Sequence, residues 1–270
     1  MKTKLKTVNR NYLVSIITIV FNGANYIEDT ILSVLNQTYK NIEYIIIDGS
    51  STDGTIDIIK KYENKINFWI SEKDNGIYDA MNKGTLKARG KWLNYMNSGD
   101  RFYKNTTIED VSKELNKAGN IAVIYGNTEI VFDKYNKYIR YAKSSGHKYH
   151  HQFIHQSSFI RHDIAMKYLY DTKFKIAGDT DFFTKIYNKG YEFVKIDNII
   201  SVFSISGISS DLNLKMYLEE AVIIGKYSKL ELVKFTLVFF IKKLIYSTFP
   251  YEISKKIKII YGKKYLSKDL

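Results

Sequence analysis

Apolar residues along the first hundred positions alternate between two spacings. Val14 to Val20 is a β-branched run, broken only by Ser15 and Thr18, that ends at Phe21-Asn22-Gly23. Such a run predicts a strand covered on both faces and followed by a turn. Between Asn25 and Leu35 the spacing becomes helical, with Tyr26, Ile27, Ile31, Val34 and Leu35 on one side. Tyr44 to Ile47 predicts a second buried strand, closing on Asp48-Gly49-Ser50-Ser51. Thr52-Asp53-Gly54-Thr55 then supplies caps for a helix through Ile56, Ile59 and Tyr62. Phe68 to Ser71 predicts a third strand, and Tyr78 to Ala88 a helix ended by Gly90. Trp92 to Met96 predicts a fourth strand that stops at the turn Asn97-Ser98-Gly99-Asp100.

This alternation of strand and helix predicts an α/β fold with a mostly parallel, Rossmann-like sheet flanked by helices. Ligands of such sheets bind beyond the carboxyl ends of the strands, which singles out Asn22, Asp48 and Asp100. Farther on, Ile121 to Tyr125 and Glu129 to Phe132 are strand-like, and Asp179 to Asn188 is helical, closed by Gly190. Leu212 to Tyr227 is helical with an apolar stripe. From Leu230 onward, Val233, Leu237, Phe240, Ile241, Leu244 and Ile245 can share one helical face with lysines close by. The organisation expected is an α/β domain over residues 1–210 and a helical, basic extension over 211–270.

Composition narrows the chemistry. The chain has 270 residues, is 45% hydrophobic and has no cysteine, which removes disulfides, thiolate metal sites and cysteine nucleophiles and fits a reducing cytoplasm. Its formal charge of +13, from 41 basic against 28 acidic residues, favours anionic partners. Acidic residues are frequent between Glu28 and Asp110, whereas Lys226 to Lys268 is lysine-rich; a balanced body with a basic tail argues against a nucleic-acid groove. Leu13 to Phe21 is too short for a signal-peptide core and lacks a small-residue cleavage site, and no run reaches the ~20 apolar residues of a spanning helix.

Four constellations carry candidate chemistry. Asp48 to Thr55 reads either as a capped strand-to-helix connection or as a nucleotide contact, its strand-end carboxylate accepting a base N–H or a ribose hydroxyl. Asn97-Ser98-Gly99-Asp100 reads as a turn, or as a site where a hard divalent cation meets a diphosphate through oxygen ligands. Gly178-Asp179-Thr180-Asp181 opens a helix, so its aspartates are either dipole-stabilised caps or a general base with a structural partner. His155-Gln156 closes a cluster with His147, His150 and His151; no carboxylate group lies nearby in sequence, which argues against zinc.

Taken together and in order, these segments resemble the inverting family 2 glycosyltransferases of GT-A fold. The resemblance rests on Ser15-to-Asn22, Ser33-to-Tyr39, Asp48-to-Thr55, Asp74-Asn75-Gly76-Ile77-Tyr78-Asp79-Ala80-Met81-Asn82-Lys83-Gly84, Gly90-Lys91-Trp92 and Asn97-to-Asp100. His155-Gln156, Gly178-to-Asp181 and Ser206-Gly207-Ile208-Ser209 are similar to the subset that builds capsules, O-antigens and exopolysaccharides. Each motif is weak alone; their fixed order makes the set specific.

The resemblance implies a nucleotide-sugar donor, in all expectation a UDP-sugar, a glycan or lipid-linked acceptor, and Mn²⁺ or Mg²⁺ as cofactor. It implies that Phe21 and the backbone near Ile19 line the nucleobase pocket, that Asp48 contacts uracil or ribose, and that Asn82 faces the donor near its phosphates. Ser98 and Gly99 would lie against the donor, Asp100 would be the surviving carboxylate of the metal-binding Asp-x-Asp element, and Asp179 would be the catalytic base. His155, Gln156 and Asp181 would face the acceptor. Two departures stand out: Gly49 replaces a usual second acidic residue, and Asn97 and Gly99 replace usual carboxylates, with Lys83 or Arg101 available to share the diphosphate charge. The reduced metal turn leaves a degenerate, catalytically weak sugar-nucleotide-binding protein as the alternative. A nucleotidyltransferase would show a Gly-rich basic loop after the first strand, which Phe21-Asn22-Gly23-Ala24 is not. The helix after Leu230 either packs on the domain or lies on an anionic membrane surface; the expected place is cytoplasmic, peripheral on the inner face of the cell membrane.

Overall fold

The structure is a computed structural model that describes residues 14–117, 121–132, 136–144, 146–204 and 214–248. The segments Met1–Arg10 and Ser206–Ser209, and the tail beyond 248, lie outside the described residues.

Among the described residues, nine strands form one sheet: β1 (Val14–Val20), β2 (Ile42–Asp48), β3 (Phe68–Ser71), β4 (Trp92–Tyr95), β5 (Arg101–Phe102), β6 (Ile121–Val131), β7 (Lys137–Arg140), β8 (Ser158–Arg161) and β9 (Glu192–Ser204). The helices are α1 (Ile27–Leu35), α2 (Thr55–Tyr62), α3 (Ile77–Lys87), α4 (Thr107–Lys117), α5 (His162–Tyr168), α6 (Gly178–Asn188), α7 (Leu214–Gly225) and α8 (Lys229–Thr248). Strand order is β3-β2-β1-β4-β8-β6-β9-β5, with β7 on β6. The first four strands are mutually parallel, as the alternation predicts. The other half is mixed: β8 runs antiparallel to both β4 and β6, while β6 and β9 are parallel.

Strand periodicity divides the core. On β1, Val14, Ile16 and Val20 face one layer, where Ile27, Ile31 and Val34 of α1, Ile59 of α2 and Ile108, Val111 and Leu115 of α4 pack. Ile17 and Ile19 face the other, with Tyr78, Ala80 and Met81 of α3 and Phe182, Phe183 and Ile186 of α6. Burial on both faces explains why β1 and β2 read as continuous apolar runs. Residues 121–132, which the pattern divides into two strands, are one strand to Val131: Gly126 sits where an added Cβ would be 2.5 Å from the Asn198 carbonyl, so its lack of a side chain admits β9 and is no break.

α7 and α8 form a hairpin in which Tyr217 stacks on Phe239 with ring centroids 4.1 Å apart. Ile223 of α7 is fully buried against Phe174 and Ala177, beside the start of α6. α8 leaves Leu230, Val233, Leu237, Phe240, Ile241 and Leu244 exposed. Among the described residues no helix is long and apolar enough to cross a membrane.

Candidate active site

The carboxyl ends of β1 and β2 are tied together before any ligand arrives. Asn22, held at φ 48, donates its N–H to the Ser51 hydroxyl and accepts the Thr52 N–H on its side-chain oxygen. A left-handed asparagine is uncommon, and these two bonds are what fix it. Gly23 N–H donates to Thr55 Oγ1, and Ala24 N–H to Asp53 Oδ2 at 3.0 Å.

Asp48 belongs to this knot rather than to the opening, contrary to the role the resemblance implies for it. It is completely buried, and its two oxygens accept from the Ser51 N–H, the Ser51 hydroxyl and the Ser71 hydroxyl. The Asp-x-x-Ser spacing is the sequence signal for this loop-closing use. The accessible carboxylate here is Asp74, which precedes α3. A Cβ added at Gly49 would lie 2.5 Å from Asp74 Oδ2 and 3.4 Å from the Phe21 ring, so Asp74 fills the space a side chain at 49 would take. Its other oxygen accepts the Gly76 N–H. The Phe21 ring is 65% exposed, a free apolar face beside that carboxylate. Ile19 contributes differently: its carbonyl accepts the Ser98 N–H, fastening the metal-type turn to β1.

In that turn Gly99 adopts φ +97, a conformation that disfavours side chains, and its N–H donates to Thr30 Oγ1. The Asp100 carboxylate is buried; Gln156 Nε2 donates to it at 2.7 Å. Burial pushes its pKa up to about 7, against the opposing effects of Gln156 and the Ser204 N–H. Among the described residues, Asn97 Oδ1 and Ser98 Oγ are buried and meet no hydrogen-bond partner. Such orphans are costly unless something meets them, and here two uncharged oxygens adjoin one carboxylate. That set suits a hard divalent ion completed by phosphate and water, although among the described residues no three His, Cys, Asp or Glu side chains group to hold one.

Asp179 lies in the first turn of α6, its side chain 24% exposed. The Thr180 N–H donates to it at 2.8 Å; Tyr78 Oη, which donates to the Ile176 carbonyl at 2.6 Å, stands 3.2 Å away and shares its one hydrogen with Asp179, and His151 Nε2 stands 3.8 Å away. Burial raises its pKa to about 6, eased by those donors and reinforced by the like charge of Glu219.

The remaining expected residues are engaged by partners within the protein. Asp181 is 1% exposed and paired with Lys226 at 2.7 Å and Lys185 at 2.9 Å. His155 is buried between Tyr95, Tyr170 and Phe183, bonded to the Tyr170 hydroxyl, with its pKa driven down to about 3 by desolvation. Gln156 is spent on Asp100. Asn82 is locked to the Tyr170 backbone by two bonds of 2.8 Å, one in each direction. These residues instead form a rigid bridge: Gln156 holds Asp100, its neighbour His155 holds Tyr170, Tyr170 stacks on Tyr78, and Tyr78 holds Asp179. The same aromatic packing takes up His147 and His151, whose pKa values are depressed by burial.

The chain matches the profile of Glycosyl transferase family 2 over residues 15–190. A curated relative, an uncharacterized glycosyltransferase of Mycobacterium tuberculosis, is 31% identical over 202 residues, covering 73% of this chain and 77% of the relative. The putative teichuronic acid biosynthesis glycosyltransferase TuaG of Bacillus subtilis is 41% identical over 96 residues, 34% of this chain and 38% of its own. The chain spans only 22% and 18% of two longer rickettsial glycosyltransferases, from Rickettsia conorii and Rickettsia bellii. Among solved structures, S. aureus TarS with UDP-GlcNAc superposes with a TM-score of 0.61 at 17% identity, covering 84% of this chain and 71% of that one. The Pyrobaculum calidifontis mannosyltransferase PcManGT with GDP-Man and Mn²⁺ gives 0.62 at 14% identity, covering 83% and 67%. With a GT-A-like sheet, a knotted strand-end floor and a profile match across most of its length, the chain belongs to glycosyltransferase family 2.

Proposed function

We propose that the chain transfers a sugar from a UDP-sugar to a glycan or lipid-linked acceptor of a cell-surface polysaccharide, with inversion, using Asp179 as the base. The observation that carries this is Asp179 itself: a partly open carboxylate at a helix start, with a pKa of about 6 and a tyrosine donor to orient it. That poise lets it be ionised at neutral pH yet accept a proton in the transition state. It takes the proton of the acceptor hydroxyl as that oxygen bonds to the anomeric carbon. The bond from that carbon to the diphosphate oxygen breaks, and its electron pair leaves on the nucleoside diphosphate. The proton ends on Asp179.

Donor binding falls to Phe21, whose exposed ring can carry the base, and to Asp74 Oδ2, which can accept the imide N–H of uracil in place of an acid at 49. Asp100, Asn97 Oδ1 and Ser98 Oγ would hold Mn²⁺ or Mg²⁺; when bound, the ion supplies positive charge to the departing diphosphate. The name of TuaG, a putative teichuronic acid biosynthesis glycosyltransferase, supports a polysaccharide role. The exposed apolar row of α8 with its lysines supports a peripheral place on an anionic bilayer.

The test is a panel of UDP-, GDP- and dTDP-sugars with Mn²⁺, read as nucleotide release. Release from a UDP-sugar, lost in Asp179→Asn, is expected. No release above a protein-free control from any donor sinks the reading.

A further inference from the structure

The profile match ends at residue 190, yet the helix that follows it in the fold reaches back to the catalytic end of α6. α6 begins without the usual device: the residue before it is Ala177, which has no side-chain oxygen to receive the helix's free amides. Glu219 of α7 instead holds the three residues that lead into the helix. Its carboxylate accepts the Lys175 N–H, the Ile176 N–H at 2.9 Å and the Ala177 N–H at 2.9 Å. Glu219 and Ile223 lie four residues apart on one face of α7, and Lys226, one residue past the end of the helix, also reaches α6. Ile223 is buried on Phe174 and Ala177, and Lys226 Nζ donates to Asp181 at 2.7 Å. A carboxylate thus clamps the lead-in to α6, a lysine clamps its first turn, and Asp179 sits between the two.

We propose that Glu219 is a positioning residue for Asp179, which makes α7 a working wall of the active site and not an appendage. This rests on the reading of Asp179 as the base. Three N–H bonds to one carboxylate set where the chain enters α6, and the direction in which the Asp179 side chain leaves the helix follows from that entry. The charge has a second effect. Glu219 is the like charge facing Asp179; Tyr78 from α3 faces it as a donor, and His151 faces it as a neutral imidazole. Lys226 and Lys185 are both engaged by Asp181. Glu219 therefore helps Asp179 keep its proton to higher pH, on top of burial.

The experiment uses the full chain and compares Glu219→Gln, Glu219→Ala and Asp179→Asn for the pH profile of nucleotide release, the donor KM and UDP binding by calorimetry. Glu219→Ala should lose about tenfold or more in kcat with donor KM and UDP affinity nearly unchanged, because the base and not the donor floor is misplaced. Glu219→Gln keeps an acceptor oxygen, so it should recover most of the kcat while its acidic limb moves by about half a pH unit to lower pH. A purely structural helix contact would lower melting temperature without moving that limb. If Asp179→Asn is inactive and both Glu219 variants keep the wild-type kcat and limb, the proposal is overturned and the base reading stands. If Asp179→Asn turns over at the wild-type rate, the base reading falls, and the proposal with it.

Discussion

Asp100 makes a cation-free protein unstable in a way that can be measured. Its carboxyl titrates near 7 in the fold against 3.8 for the ordinary group, because ionisation leaves a buried charge whose donors among the described residues are Gln156 and the Ser204 N–H. At ~1.36 kcal/mol per pH unit, that difference costs the folded, ionised protein about 4 kcal/mol. The sign follows from linkage: the stability is fully present below pH 3.8 and is lost as pH rises through about 7. Asp100→Asn removes the charge and keeps an oxygen for Gln156, at a cost of ~1 kcal/mol for the second acceptor. In chelator at pH 8 the variant should therefore be more stable than the wild type by about 3 kcal/mol, an increase in melting temperature of about 6–12 °C. At pH 4 the two should melt within a few degrees of each other, or in the reverse order. Differential scanning fluorimetry at both pH values, with chelator and with Mn²⁺, reads this. Mn²⁺ at ~100 times its dissociation constant should return about 2.7 kcal/mol to the wild type and nothing to the variant. A variant that melts below the wild type at pH 8 in chelator, or a gap that does not change with pH, would refute the reasoning.

The remaining predictions concern turnover, donor choice and the membrane. Asp179→Asn should lower kcat by ~100-fold or more while UDP binding by calorimetry stays within about twofold, and wild-type activity should fall on acidification through a limb near pH 6. Asp74→Ala should weaken UDP binding about tenfold, the loss of one charge-assisted bond. Gly49→Asp alone should be worse because of the 2.5 Å clash, and Gly49→Asp with Asp74→Gly should recover affinity; a double variant as weak as either single one would argue against the shared-pocket reading. Leu237→Glu with Phe240→Glu, both at exposed positions of α8, should abolish flotation with anionic liposomes and leave melting temperature unchanged; equal flotation would remove the membrane from the account.

The first half of the sheet was legible because burial on both faces writes β1 and β2 as unbroken apolar runs. α4 carries Ile108, Val111 and Leu115 at helical spacing, in a segment for which the pattern predicted no element. β9 was illegible because charged residues interrupt its outward positions along Glu192–Ser204. At the site, residue types were visible and directions were not. Asp48 and Asp74 are both acids near strand ends, and only the three-dimensional path shows that Ser51 and Ser71 consume one while Gly49 makes room for the other. His155 and Gln156 look like reactive polar residues in sequence; packing against Tyr95 and Tyr170 turns them into a brace. Glu219 had no legible role, since its partners are backbone amides more than forty positions away.

Strand β8 has a consequence for the order in which this molecule comes into being. It is the seam between the parallel strands and the rest of the sheet, bonded to β4 on one edge and β6 on the other, and it arrives in the chain long after β4. A nascent chain that has delivered β1 to β4 still shows a raw edge at Trp92 and Leu93 until Ile160 and Arg161 emerge to cover it. Closing so distant a pairing is slow and leaves the incomplete sheet open to association with other chains. His155 and Gln156 directly precede that strand, so the latch on Asp100 closes in the same event. During synthesis, the floor at the ends of β1 and β2 can form early, whereas the end that holds Asp100 can be completed only after the seam has closed.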